Sequence, residues 1–159
     1  FSSSIQTLCN HFKEYAKEVT SRFLNPSEST VIEFGCNDGV LLKPLADEGI
    51  KNIIGVDPAK NVLSSINDDR IKIKSNYFTE EVAREIVSEY GQVDMIMANN
   101  VYAHIADIQG TTQAIKNTLE SLLKKQLSIL IVFMALLQIM LWATKIHSIG
   151  ILQALIKNI

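Results

Sequence analysis

Apolar residues at Ile5, Leu8, Cys9, Phe12, Ala16, Val19 and Phe23 recur at helical spacing until Asn25-Pro26, predicting an amphipathic helix over 5–23. Ser3 and Gln6 ahead of that stripe have the spacing of a capping box, so Ser2-Ser3-Ser4 reads as a helix start rather than a nucleophile. The pattern then switches to short apolar runs. A β-branched run predicts a strand over 30–35, followed by a helix that ends at Gly49, with Pro44 delaying or kinking its start. A second strand is predicted over 52–57. Pro58 would hold Asp57 extended and suits the first position of the helix it opens. Ile71-Lys72-Ile73-Lys74 alternates, and its lysines fit the edge of a sheet. Thr79, Glu80 and Glu81 start a helix whose stripe is Val82, Ala83, Ile86, Val87 and Tyr90, with Gly91 as its stop. A fourth strand runs from Val93 to Ala98, a helix covers 108–124, and an apolar stretch supplies a fifth strand at 128–134. Strand–helix alternation of this kind implies an α/β fold. The sheet is doubly wound and parallel, in spatial order 3-2-1-4-5, with helices on both faces.

The length of 159 residues fits one domain with a substantial core, taken as 1–159. A net charge of −2, with no more than two neighbouring Lys or Arg residues, argues against a nucleic-acid surface. Cys9 and Cys36 make neither a disulfide framework nor a Cys-x-x-Cys metal site, and no metal is expected. No signal peptide opens the chain, which makes the cytoplasm the expected compartment. The composition changes after Lys125. Residues 121–159 contain no acid, and Leu127 to Ala143 has only Ser128 and Gln138 as polar residues. Seventeen residues is the lower end of a membrane span, about 17–25 residues. The reading adopted is a strand and a buried or partner-covered helix; membrane association and self-association through this tail are the alternatives.

Candidate chemistry gathers at strand ends, where open parallel sheets bind ligands. Val31-Ile32-Glu33-Phe34-Gly35-Cys36-Asn37-Asp38-Gly39 joins a strand to a glycine turn, and Asp57 closes the next strand. Such a turn lets backbone approach a ligand, and the acid accepts from ribose hydroxyls, which together make a nucleotide-cofactor site. The alternative is a tight turn that binds nothing. The glycines stand four apart and Asn37 occupies the middle-glycine slot, unlike the G-x-G-x-x-G of nicotinamide dinucleotide sites. The same rule adds Pro58, then Asn76, Tyr77 and Phe78 after the third strand, and Asn99 and Asn100 after the fourth. Asn76 suits an adenine amino group and Tyr77 or Phe78 its ring, although the aromatic pair equally fits ordinary packing. Asn99-Asn100 fits either a polar ligand or a self-bonded turn. His104, with an unperturbed pKa near ~6.5, is the histidine placed for proton transfer.

The form Glu33-x-Gly35-x-x-x-Gly39 resembles the first motif of class I S-adenosylmethionine-dependent methyltransferases. That family has a Rossmann-like sheet. Its cofactor carries a sulfonium and an ammonium but no phosphate, so an acidic glycine loop suits it. Residues 37–44, 55–61, 78–81 and 98–104 (the last reading Ala-Asn-Asn-Val-Tyr-Ala-His) are similar to the sugar-nucleotide C-methyltransferases. These methylate a carbon beside the ketone of a deoxy-keto sugar on a nucleoside diphosphate. The resemblance covers about residues 1–125. It implies that Glu33, Gly35, Asn37, Gly39, Asp57, Phe78 and Asn99 surround S-adenosylmethionine, and that His104 faces the sugar. It departs from the family after Lys125, where a His-Glu-His stretch carrying the proposed base has no counterpart. The expectation is a truncated class I core with an added N-terminal helix and an atypical tail, divergent or out of frame. It should bind cofactor and by itself methylate sugars little or not at all; the alternative is a non-catalytic or membrane-associated binder.

Overall fold

The computed structural model describes residues 2–91 and 93–120. Within them lie α1 (Gln6–Phe23), β1 (Thr30–Phe34), α2 (Leu42–Asp47), β2 (Asn52–Val56) and α3 (Lys60–Leu63). They continue with β3 (Ile71–Lys74), α4 (Glu80–Tyr90), β4 (Met95–Met97) and α5 (Ile108–Glu120). The strands form one parallel sheet in the order β3-β2-β1-β4. The first four strands therefore take the expected order, with the lysine-bearing β3 at an edge. The proposed fifth strand, the end of the helix at 121–124 and the apolar tail lie outside the described residues.

Both faces of the sheet are covered, so its central strands are apolar on both sides rather than alternating. Val31, Ile53, Ile71, Met95 and Met97 pack with Phe12, Ala16 and Val19 of α1 and with Leu42 and Leu45 of α2. Ile32, Phe34, Ile54, Val56 and Ile96 meet Val82, Ala83 and Ile86 of α4 and Ala114 and Ile115 of α5. Glu33 shares the pleat of Val31, and it pairs in register with Gly55 of β2 and Met97 of β4. The buried β1 pattern thus carries one acid into an otherwise apolar layer.

Local starts and stops mostly follow the expected chemistry. The Thr79 side chain accepts from the Val82 N–H at 3.3 Å, and Gly91 ends α4 at φ 80. Pro44 sits in the first turn of α2, where its missing N–H leaves no helical bond unmade. Two expectations are corrected. The capping box does not form: Ile5 is the α1 N-cap, without a side-chain cap bond, and Gln6 bonds Asn10 instead. The Ser3 N–H and hydroxyl both donate to Asp38 Oδ2 at 2.8 Å, a charge-assisted pair that wins over the local cap. Nor does Pro58 open α3, whose first residue is Lys60. The Asp57 carboxylate accepts the Ala59 N–H at 2.9 Å, and this Asx turn postpones the helix by two residues.

Candidate active site

The site is built where β1 and β2 end. The Gly35 N–H donates to the Val56 carbonyl at 2.8 Å, carrying the pairing one residue past β1 before the chain turns away. The turn takes Gly35 to φ +67, Asn37 to +51 and Gly39 to +72. Gly35 has the stronger second reason to be glycine: a Cβ there would lie 2.5 Å from Cγ2 of Val101, against 3.2 Å from Ile66 at Gly39. Val101 belongs to the segment after β4, so the bare Gly35 backbone is what allows the β1 and β4 loops to touch.

Asp57 ties the loop to β2. Its N–H donates to the Lys74 carbonyl, and its Oδ2 accepts the Asn37 N–H at 3.0 Å. Asn37 and Asp57, chosen from sequence as cofactor ligands, therefore meet directly. Each carboxylate oxygen of Asp57 keeps lone-pair capacity beyond its one backbone bond.

Glu33 is the most unusual group. It is 3% exposed; Oε1 accepts from the Asn99 amide at 3.1 Å and Oε2 has no partner among the described residues. Burial pushes its pKa up to about 8; the Asn99 bond opposes that rise, and the charges of Asp57 and Asp38 add to it. Asp38 is also buried, with Oδ2 held by Ser3 and Oδ1 unpartnered. Two buried carboxylate oxygens without donors are an incomplete arrangement, and a cationic ligand is the chemistry that would complete it. The Cys36 thiol is buried in the same loop, and its burial, then the Glu33 and Asp57 charges, hold its pKa well above the ordinary range. That keeps it an unreactive neutral group.

The remaining positions are dispersed by environment. Phe78 is buried and stacks on Phe34 with ring centroids 4.9 Å apart, whereas Tyr77 is 75% exposed. Asn76 and Pro58 are exposed beside the same rim of the sheet. Asn99 reaches Glu33, while Asn100 is an exposed turn residue at φ 56. His104 is exposed at the end of the 3-10 turn Tyr102–His104, its N–H bonded to the Val101 carbonyl at 2.9 Å. Sequence reasoning missed Asp38, Ser3, Val101 and Tyr15. A third acid inside the glycine loop was a visible signal for Asp38. The Tyr15 hydroxyl, on α1, has its pKa raised by burial and then by the charges of Glu33 and Glu18, a coupling that nothing local announces.

Comparison with known proteins follows this geometry. A family model described as a methyltransferase domain matches residues 9–136. The C-methyltransferase NovU of Streptomyces niveus is 29% identical over 107 residues, which cover 67% of this chain and 25% of that protein. A candidate type II methyltransferase from Anaeromyxobacter dehalogenans superposes with a TM-score of 0.51 at 16% identity, over 67% of this chain and 42% of the other. MycE methyltransferase of the mycinamycin biosynthetic pathway, solved with Mg and SAH, gives 0.51 at 16% identity, over 74% and 31%. These two structural likenesses speak for the fold, and the chain spans only a quarter of NovU's length. With the family model covering most of its residues and the Rossmann-like sheet in place, the chain belongs to the methyltransferase domain family.

Proposed function

We propose that this chain is the cofactor-binding part of an S-adenosylmethionine-dependent C-methyltransferase whose substrate is a nucleoside-diphosphate-linked deoxy-keto sugar. One observation carries the cofactor reading. The glycine loop is hydrogen-bonded to the acid that ends β2, and buried carboxylate oxygens of Glu33 and Asp38 stand without donors beside it. A phosphate-bearing dinucleotide would meet repulsion there; a sulfonium and ammonium carrier would not. Asp57 is assigned to the ribose hydroxyls, Gly35, Cys36, Asn37 and Gly39 to the close backbone approach, and Asn76 and Tyr77 to the adenine. Pro58 fixes Asp57, Phe78 supports the rim through Phe34, and Asn99 and Asn100 shape the side nearest the substrate.

The bound cofactor would supply an electrophilic methyl group. The sugar reading rests on the strings resembling the C-methyltransferases and on the match to NovU. A ketone acidifies its neighbouring C–H, so the protein's tasks are to orient the sugar, exclude water and take that proton. His104 is assigned to face the sugar. On this reading the chain works in the cytoplasm as one domain over 1–159, and self-association through its apolar tail is the alternative to a buried or partner-covered helix there. The test is calorimetry with S-adenosylmethionine, S-adenosylhomocysteine and NAD. Binding of the first two and not the third is expected, and a preference for NAD would overturn the methyltransferase reading of the site.

A further inference from the structure

Glu33 is buried among groups of which only the Asn99 amide favours its charge. It is coupled electrostatically to Tyr15 of α1, to Cys36 and Asp38 of the glycine loop, and to Asp57 at the end of β2. Tyr15 and Cys36 are held neutral by their own burial, and both aspartates are acids. From the β4 side comes only the Asn99 amide, one neutral donor to Oε1. Among the described ion pairs, none includes Glu33. Its Oε2 is buried and donor-free, which is how a carboxylic acid sits but not how a carboxylate does.

Resting on the cofactor reading above, we propose that Glu33 carries a proton in the cofactor-free protein and loses it when the cationic cofactor binds, so that cofactor binding releases a proton. The O–H bond on Oε2 breaks, its electron pair stays on the carboxylate, and the proton leaves to solvent. The positive charge of the cofactor takes over the compensation that the proton had provided. The cluster then changes from one that holds a proton on Glu33 to one that holds a cation in its place. The free protein is thereby spared a buried, donor-free carboxylate at Glu33, and its affinity for the cofactor depends on pH.

The sign follows from linkage. Glu33 is protonated in the free protein below about pH 8, so cofactor affinity rises with pH up to that point and levels off above it. Calorimetry of the full chain with S-adenosylmethionine, in phosphate and in Tris at matched pH, counts the protons. The cofactor's own amino group titrates in the same range, so the readout is the difference between wild type and Glu33→Gln. About one more proton released by wild type than by the variant at pH 7, vanishing well above pH 8, is the expected result. Should the variant bind too weakly or fold poorly, infrared difference spectra of wild type must show the protonated-carboxyl C=O band disappearing as cofactor is added. Tight binding with no extra proton and no loss of that band overturns the proton release alone. No binding at any pH overturns the cofactor reading and this inference with it.

Discussion

At the scale of single residues, the same burial that prepares Glu33 for a cation makes it a pH-dependent element of the fold. Its folded pKa, about 8, lies above the ordinary value of 4.5, so the folded state holds a proton that the unfolded chain has lost. The resulting stability is fully present below about pH 4.5 and is lost as pH rises through 8. Urea midpoints should fall between pH 6 and pH 9 in wild type (both values chosen on the order of the window this linkage sets), and Glu33→Gln should flatten that fall. Gly35 offers a second test. Alanine there must adopt φ +67 and push its Cβ into Val101, so Gly35→Ala should cost about 2–4 kcal/mol by the left-handed and overpacking penalties together. Adding Val101→Gly, which also removes the Val101 Cβ that would lie 2.7 Å away, relieves the clash but not the backbone term, and should recover roughly half in a double-mutant cycle of thermal melts. The sequence exposed the loop and Asp57 because glycine spacing and a strand-ending acid are local signals. It did not expose the environment of Glu33, which depends on Asn99 from the bend after β4 and on the charge coupling to Tyr15 of α1.

At the scale of elements, the helices and strands were legible where the period of the apolar pattern was unambiguous. The α4 stripe and its Thr79 cap are an example, and Thr79→Ala should lower stability by about 1 kcal/mol in chemical denaturation, the usual cost of a lost N-cap. The errors fell at helix starts. Ser3 looked like a cap because its spacing to Gln6 is local, yet its hydroxyl is drawn 35 residues away to Asp38. Pro58 looked like a first helical residue, yet Asp57 diverts the Ala59 N–H before a helix can form. In both cases a carboxylate of the candidate site competed with a local motif and won. The same competition bears on Asp57→Ala. Deleting that carboxylate should weaken S-adenosylmethionine binding by about 1.5–3 kcal/mol, the range for hydrogen bonds to a charged group. It also frees the Asn37 and Ala59 N–H groups, so a modest loss of thermal stability should accompany it. Unchanged affinity would remove Asp57 from the cofactor site.

At the scale of the whole molecule, the apolar layers on the two faces of the sheet support a rim that, among the described residues, carries three acids and the exposed His104. Glu33, Asp38 and Asp57 are buried at the carboxyl ends of β1 and β2, and Glu33 accepts a hydrogen bond there from Asn99. His104 is exposed beyond β4, in a turn that reaches the glycine loop through Val101. From Ser121 onward the chain contains no Asp or Glu, and His147 is its only histidine. Removing a carbon-bound proton calls for a base within about 2.6–3.2 Å of it, and losing general-base catalysis typically costs ~100- to 10,000-fold. We therefore expect this chain to bind S-adenosylmethionine with little or no sugar methylation of its own. The measurement is transfer of a labelled methyl group to a panel of nucleoside-diphosphate keto sugars. Turnover gained by grafting a His-Glu-His-bearing segment after Lys125 would locate the missing function in that stretch. Robust turnover by the unmodified chain, abolished by His104→Ala, would instead make His104 the base and the stretch dispensable.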